Sequence, residues 1–242
     1  ALAVTHSVAA DVDIELSVPN GEKLAARTWN PRLGIVGGLS ILGTTGVVEP
    51  YSCSAWINAI QRGIDVARAA GLQQVAGCTG RTSEQAVQRL LGLPEEALID
   101  MGDFIGGLLK YLRRQPVPTV VLAGGLAKLS KFADGHLDVH SKRSQVDVAG
   151  LARRLERLGA DPALVAAAAA ANTALEVGQL AQAHGLPLGQ AIALEARAQA
   201  RSVLGAAPQE VRGKRVLIVD ETCDTGETMR LAVAAIVNLA FR

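Results

Sequence analysis

Gln74-Val-Ala-Gly-Cys-Thr-Gly-Arg-Thr-Ser-Glu84 begins as a short apolar run, turns through glycine and threonine, and leads into a segment with helical spacing as far as Leu91. Thr119-Val-Val-Leu-Ala-Gly-Gly-Leu-Ala-Lys128 repeats the same order of events. Working outward from these, the strand candidates are Gln74–Gly77, Ala97–Met101, Thr119–Ala123 and Arg215–Val219. Helix candidates lie at Thr82–Leu91, Asp103–Arg114, Ala127–Asp134 and in the Ala-rich stretch Gln145 to Leu204. Apolar runs alternating with helical ones predict parallel strands joined by crossover helices. The expected class is α/β, with a four-stranded parallel sheet flanked by helices.

The flanks follow from local signals. Ser52 to Ala70 has apolar residues at helical spacing, with Ser52 as N-cap and Gly71 as stop. The Ala-rich stretch divides at Asp161-Pro162, Asn172-Thr173, Gly185-Leu-Pro187 and Gly205, so several helices are expected. Val12 to Val18 alternates apolar with polar residues and predicts a half-buried strand. Pro19-Asn-Gly21 is a turn, and Lys23 to Thr28 returns as a second strand of a hairpin. Residues 1–48 then read as the end of an α+β domain, and residues 49–242 as the sheet domain with its Ala-rich helices.

Composition bounds the function. Apolar residues make up 49% of the 242 but aromatics only 3%, so the core is aliphatic. A net charge of +1 carries no nucleic-acid or membrane signature, and no apolar run reaches the length of a membrane span. Cys53, Cys78 and Cys223 are odd in number and widely spaced, against a disulfide framework or a structural zinc site. A reducing, cytoplasmic setting is expected. The first residue is Ala and nothing after it resembles a signal peptide. This predicts a chain that begins inside a longer protein. No pattern specifies an oligomeric state.

Asn30-Pro-Arg-Leu-Gly-Ile-Val-Gly-Gly-Leu-Ser-Ile-Leu-Gly-Thr-Thr-Gly-Val-Val-Glu-Pro50 sets glycines and hydroxyls among aliphatic residues, which are expected to bury it. Glycine lets a ligand approach the backbone, and Ser40, Thr44 and Thr45 add donors and acceptors. The segment reads as part of a pocket, with a tight interdomain turn as the plainer alternative.

That run resembles the signature of the CbiD family, the cobalt-precorrin-5B C1-methyltransferases of cobalamin biosynthesis. Colinear matches follow at Gly77–Glu84, Leu91-Gly-Leu-Pro94, Ile99–Gly107, Gly124–Lys131 and Asp138-Val-His-Ser-Lys142. The resemblance covers about residues 10 to 205. CbiD proteins carry a substantial segment before this point, including a Thr/Gly-rich stretch not found here.

The resemblance implies a sheet in the order 2-1-3-4. It implies S-adenosylmethionine as cosubstrate, a tetrapyrrole as substrate, and transfer of methyl to C1 of cobalt-precorrin-5B, giving cobalt-precorrin-6A. No nucleic acid, membrane or protein-bound metal is expected; any cobalt belongs to the substrate.

On that strand order, ligands bind where the order reverses, beside the loops Gly77–Ser83 and Gly124–Lys128. The plainer alternative is tight β–α turns. Which loop takes which ligand is not fixed by sequence. Residues assigned to the donor are Gly37, Gly38, Ser40, Gly43, Thr44, Thr45, Gly46, Gly77, Thr79, Gly80 and Asp100. Those assigned to the tetrapyrrole are Glu49, Arg81, Gly124, Gly125, Lys128, Lys131 and Lys142.

From Phe104 to Arg143 seven basic residues face two acidic ones, a field suited to a polycarboxylate. Lys110, Arg113 and Arg114 read as a solvated helix face. Lys128, Lys131 and Lys142 are expected to face the substrate's carboxylates. His140 and Ser141 are assigned to the chemistry, His140 because imidazole titrates near neutrality; a structural histidine is the alternative. Asp103 is expected to cap the helix after the second strand.

Val216-Leu-Ile-Val-Asp-Glu-Thr-Cys-Asp-Thr-Gly-Glu-Thr-Met229 resembles the PRPP-binding motif of phosphoribosyltransferases, with Asp220 and Glu221 as the ribose acids. A phosphoribosyltransferase body is missing on both sides of it. A phosphoribosyltransferase and a non-catalytic tetrapyrrole-binding protein are therefore the competing expectations.

Overall fold

The computed structural model describes residues 13, 15, 17–28, 30–39 and 52–205, and the backbone of 215–220. Two compact units, Ala1–Val48 and Glu49–Arg242, divide the chain.

In the first unit a single helical turn, α1 (Gly21–Ala25), follows Asn20, whose backbone is left-handed at φ 57°. This overturns the expected return strand at Lys23–Thr28. Glu22, Lys23, Leu24 and Ala25 are all good helix formers, and the Leu24 amide bonds the Asn20 carbonyl at 3.1 Å. Local propensity outweighs a weak alternation. Of the expected strand at 12–18, the described residues Asp13, Glu15, Ser17 and Val18 are not in a strand; the others lie outside the described residues.

The second unit opens with α2 (Cys53–Ala69). Ser52 Oγ accepts the Ala55 amide, and the chain leaves the helix through Gly71 at φ +70°. Then come β1 (Gln74–Cys78), α3 (Arg81–Leu91), β2 (Leu98–Asp100), α4 (Ile105–Arg114), β3 (Thr119–Gly124) and α5 (Leu126–Ala133). The Ala-rich stretch folds as α6 (Val148–Arg157), α7 (Pro162–Ala169), α8 (Ala174–Ala183) and α9 (Leu188–Leu204). The breaks are the expected ones: Asp161 caps α7 through the Leu164 amide, and Thr173 caps α8 through that of Glu176. β4 (Arg215–Asp220) returns to the sheet.

The sheet runs β2-β1-β3-β4 with every pairing parallel. Alternate residues of each strand serve opposite faces. Val75, Ile99, Val120 and Leu122 join the larger core, with α2, α4, α5, α6 and α9. Ala76, Cys78, Leu98, Val121 and Ala123 form a smaller core with Ala86 and Val87 of α3. The helices cover both faces, as the alternation predicts. β2 is shorter than expected, because Pro94 is followed by a 3-10 turn, Glu95–Ala97, that takes up Ala97.

Candidate functional site

β1 and β3 are neighbours, yet their connections part. α3 leads from β1 outward to β2 on one face, and α4 returns from β2 to β3 on the other. A crevice opens between such strands at their carboxyl ends. Four chain segments gather there.

The first is Thr79–Arg81. The Thr79 amide bonds the Ala123 carbonyl at 3.0 Å, fixing the loop to β3. Ser83 Oγ accepts the Gly80 amide at 3.2 Å and holds the first turn of α3. A Cβ at Gly80 would meet no atom within 4 Å, so this glycine fronts open space. Gly77 and Gly124 do not. A Cβ at Gly77 would lie 2.8 Å from both Leu108 Cδ2 and Met101 Sδ, and one at Gly124 would lie 2.7 Å from Thr79 Cγ2 and Oγ1. Both are buried, and the absence of a side chain admits protein neighbours there.

The second segment follows β2. Asp100 Oδ1 accepts the Gly102 amide at 3.0 Å. Asp103 does not cap α4: the N-cap is Phe104, without a side-chain bond. The Asp103 carboxylate instead pairs with the Lys128 ammonium at 3.3 Å. A tertiary partner displaces the expected local one.

The third segment is Gly125–Lys128, where Gly125 is the N-cap position of α5. Lys128 Nζ also donates to the Thr79 carbonyl at 2.9 Å. One half-buried ammonium thus joins the ends of β1, β2 and β3.

The fourth segment, Leu137–Ser144, is strapped beside Asp103. The Val139 amide bonds the Asp103 carbonyl at 3.0 Å and the Gly106 amide bonds the Leu137 carbonyl at 2.8 Å. Lys131 lies beneath it, only 7% exposed, giving its ammonium to the Val139 carbonyl at 3.1 Å. Its expected position facing substrate carboxylates is corrected: Lys131 is an internal strut.

His140, Ser141, Lys142 and Arg143 are exposed on the outer side of this loop. His140 Nδ1 accepts the Lys142 amide at 3.1 Å, which places the proton of the neutral ring on Nε2. Asp138 orders the loop, accepting the His140 amide at 3.1 Å and pairing with Arg143 at 3.4 Å.

Other expected residues lie elsewhere. Gly37, exposed and at φ +82°, and Gly38 belong to the first unit. Val36 there is 88% exposed, against the expectation that the aliphatic residues bury this run. Ser40, Gly43, Thr44, Thr45, Gly46 and Glu49 lie outside the described residues. So does the PRPP-like loop; β4 brings Asp220 into register with Gly124. Lys110, Arg113 and Arg114 are exposed on the last turns of α4.

Two clusters escaped the sequence reading. Trp56 donates its indole N–H to the Asp100 carbonyl at 3.2 Å and lies 6.4 Å from Phe104 between ring centroids. Its only signal was rarity, as one of two tryptophans. Arg154, buried in α6, bonds Asp134 at 2.6 Å and Glu195 at 2.7 Å beside a polar cavity of about 430 Å³. Among the described residues no group of three or more His, Cys, Asp or Glu is placed to hold a metal ion, and no helix is long and apolar enough to cross a membrane.

Comparison with known proteins agrees with the residue matches. A family model described as CbiD matches residues 2–50, and one described as CbiD, C-terminal domain, matches residues 138–221. The chain is similar to a cobalt-precorrin-5B C(1)-methyltransferase of Paramagnetospirillum magneticum, 68% identical over 204 residues, covering 84% of this chain and 57% of that protein. Proteins of the same name from Rhodospirillum rubrum and Halorhodospira halophila are 64% and 59% identical. They cover 87% and 88% of this chain, and 58% and 59% of their own lengths. The chain therefore spans less than two thirds of these relatives. No solved structure matches it.

Proposed function

This chain belongs to the CbiD family, and from that premise we propose that the whole protein is a methyltransferase acting with S-adenosylmethionine on C1 of cobalt-precorrin-5B, to give cobalt-precorrin-6A. The observation that carries the reading is the convergence on Lys128 of the loops after β1, β2 and β3 at a switch point of strand order. When bound, S-adenosylmethionine supplies a sulfonium methyl: the ring carbon bonds to it as the C–S bond breaks, and that electron pair returns to sulfur.

Such a displacement asks the protein for alignment and exclusion of water rather than for a triad. The residues present suit that role. Gly80 leaves the backbone approachable at the start of α3, and Asp100 sits where an acid after the second strand holds ribose hydroxyls. We assign Thr79, Gly80 and Asp100 to the donor. Gly37, Gly38, Ser40, Gly43, Thr44, Thr45 and Gly46 are assigned to the donor in the same proposal on the family resemblance alone.

Arg81, Lys142 and Arg143 offer exposed cations to the tetrapyrrole's carboxylates, and we assign Gly125 and Glu49 to the same ligand. In the tautomer set by Lys142, His140 offers an Nε2–H to the substrate, and Ser141 a hydroxyl. The cobalt arrives with the substrate. A cytoplasmic location, the α+β character of residues 1–48 and the domain boundary after them complete the proposal.

The test is methyl transfer by the full-length protein from isotopically labelled S-adenosylmethionine to cobalt-precorrin-5B, read by mass spectrometry. One labelled methyl on the product is expected. Absence of transfer by folded protein that binds both ligands would overturn the reading.

A further inference from the structure

We propose that the end of β2 is the purine-nucleoside arm of the donor site, with the Trp56 indole as the wall against which the base stacks; the inference rests on the methyltransferase reading above. Three alternate positions of the β2–α4 loop shape a seat for this ring. The Asp100 carbonyl accepts its N–H at 3.2 Å. Gly102, at φ +51°, has no side chain; a Cβ there would come within 3.0 Å of Trp56 Cζ2. Phe104 meets the indole at a tilt of 53°. Despite this seat the residue stays 40% exposed, in a chain with only 3% aromatic residues.

A large ring fixed by its polar edge, with surface left to solvent, is preorganised for stacking. Aromatic walls accept bases through their π faces. The carboxylate that suits ribose belongs to Asp100, the residue whose carbonyl holds the indole. Base and ribose are covalently joined, so one residue position anchors the seats of both.

Charge separates the purine from the macrocycle as occupant. A substrate carrying many carboxylates needs cations with donors to spare, and the Lys128 ammonium near the end of β2 is already bonded to Thr79 and Asp103. The exposed cations Lys142 and Arg143 stand instead on the Leu137–Ser144 loop. The neutral base and diol of a nucleoside fit the β2 end.

The test uses the full-length protein and two ligands, S-adenosylhomocysteine and adenosine. Calorimetry of Trp56→Ala is expected to show both bound about tenfold more weakly or worse, with precursor affinity unchanged. Saturating adenosine is expected to quench indole fluorescence in the parent, and Trp56→Phe to lack that response. If folded Trp56→Ala binds S-adenosylhomocysteine like the parent, the inference falls and the methyltransferase reading stands. Loss of precursor affinity instead would put the macrocycle on Trp56 and also overturn it. A parent that binds no S-adenosylhomocysteine would sink both. Should Trp56→Ala fail to fold, the fluorescence of Trp56→Phe decides.

Discussion

Lys128 lies in the first turn of α5, and its ammonium meets the Thr79 carbonyl and the Asp103 carboxylate. We infer that a lysine committed in this way positions loops rather than gripping a ligand, against the expectation that it faces the substrate. Lys128→Gln is therefore expected to weaken S-adenosylhomocysteine and precursor together, and to cost about 2 kcal/mol of stability from one charged hydrogen bond and one half-exposed pair. Titration of both ligands and urea unfolding check this; loss of precursor affinity alone would return Lys128 to the substrate. Asp147 shows a second single-residue effect. The Gly150 amide, above all, and then Arg153 hold its carboxyl below the usual range despite some desolvation. A lowered folded-state pKa stabilises above the unfolded value and is lost as pH falls through the folded one. The stability advantage of the parent over Asp147→Asn should thus be full near neutrality and shrink below about pH 4. A difference that stays constant down to about pH 2 in acid unfolding would refute it.

At the scale of elements, glycines in the same motif serve different ends. Gly77→Ala drives a methyl into the ends of the Leu108 and Met101 side chains, which must repack in a filled core at a cost of about 1–3 kcal/mol. Gly124→Ala drives one into Thr79 and so disturbs a loop of the crevice. Thermal unfolding should register both changes. Donor affinity should fall only for Gly124→Ala, and adding Thr79→Ala should recover part of its lost stability; no recovery would mean that the Thr79 contact is not the cause. Sequence alone cannot separate the two glycines, because the colliding atoms come from other elements. The same reason explains what was legible. β1 and β3 are apolar runs bounded by glycine, and the helix breaks carry their own caps at Asp161 and Thr173. Asp103 was misread because its partner lies 25 residues away on α5. Lys131 was misread because an exposed and a buried lysine look alike in a chain of letters. Trp56 was passed over because helical spacing places it on a face without revealing the Asp100 carbonyl across from it.

Across the whole molecule, a buried guanidinium adds an ionic tie to the apolar packing of the α6–α9 layer on the sheet domain. Arg154 is 7% exposed and bridges Asp134, just past α5, to Glu195 on α9. Burial pulls its pKa down, but the bonds to Asp134 and Glu195 outweigh that and raise it, so the charge persists inside. Arg157 adds a second, exposed contact to Glu195 at 3.1 Å. A buried pair broken from one side leaves carboxylates facing a void. Both acids here are about a third exposed and regain water. The loss for Arg154→Ala should then lie at the low end for such pairs, about 3 kcal/mol. Arg154→Met fills the same space without charge and is expected to lose less. Glu195→Gln keeps an acceptor and should lose least. Because the guanidinium is enclosed, raising salt should change the parent's stability through this network far less than through an open pair such as Arg62–Asp65. Urea unfolding of the three variants at low and high salt tests the ranking. If Arg154→Met proves as unstable as Arg154→Ala, the charge and not the packing holds the layer. If Arg154→Ala costs under about 1 kcal/mol, the layer is held by its aliphatic core, and Arg154 is a passenger in it.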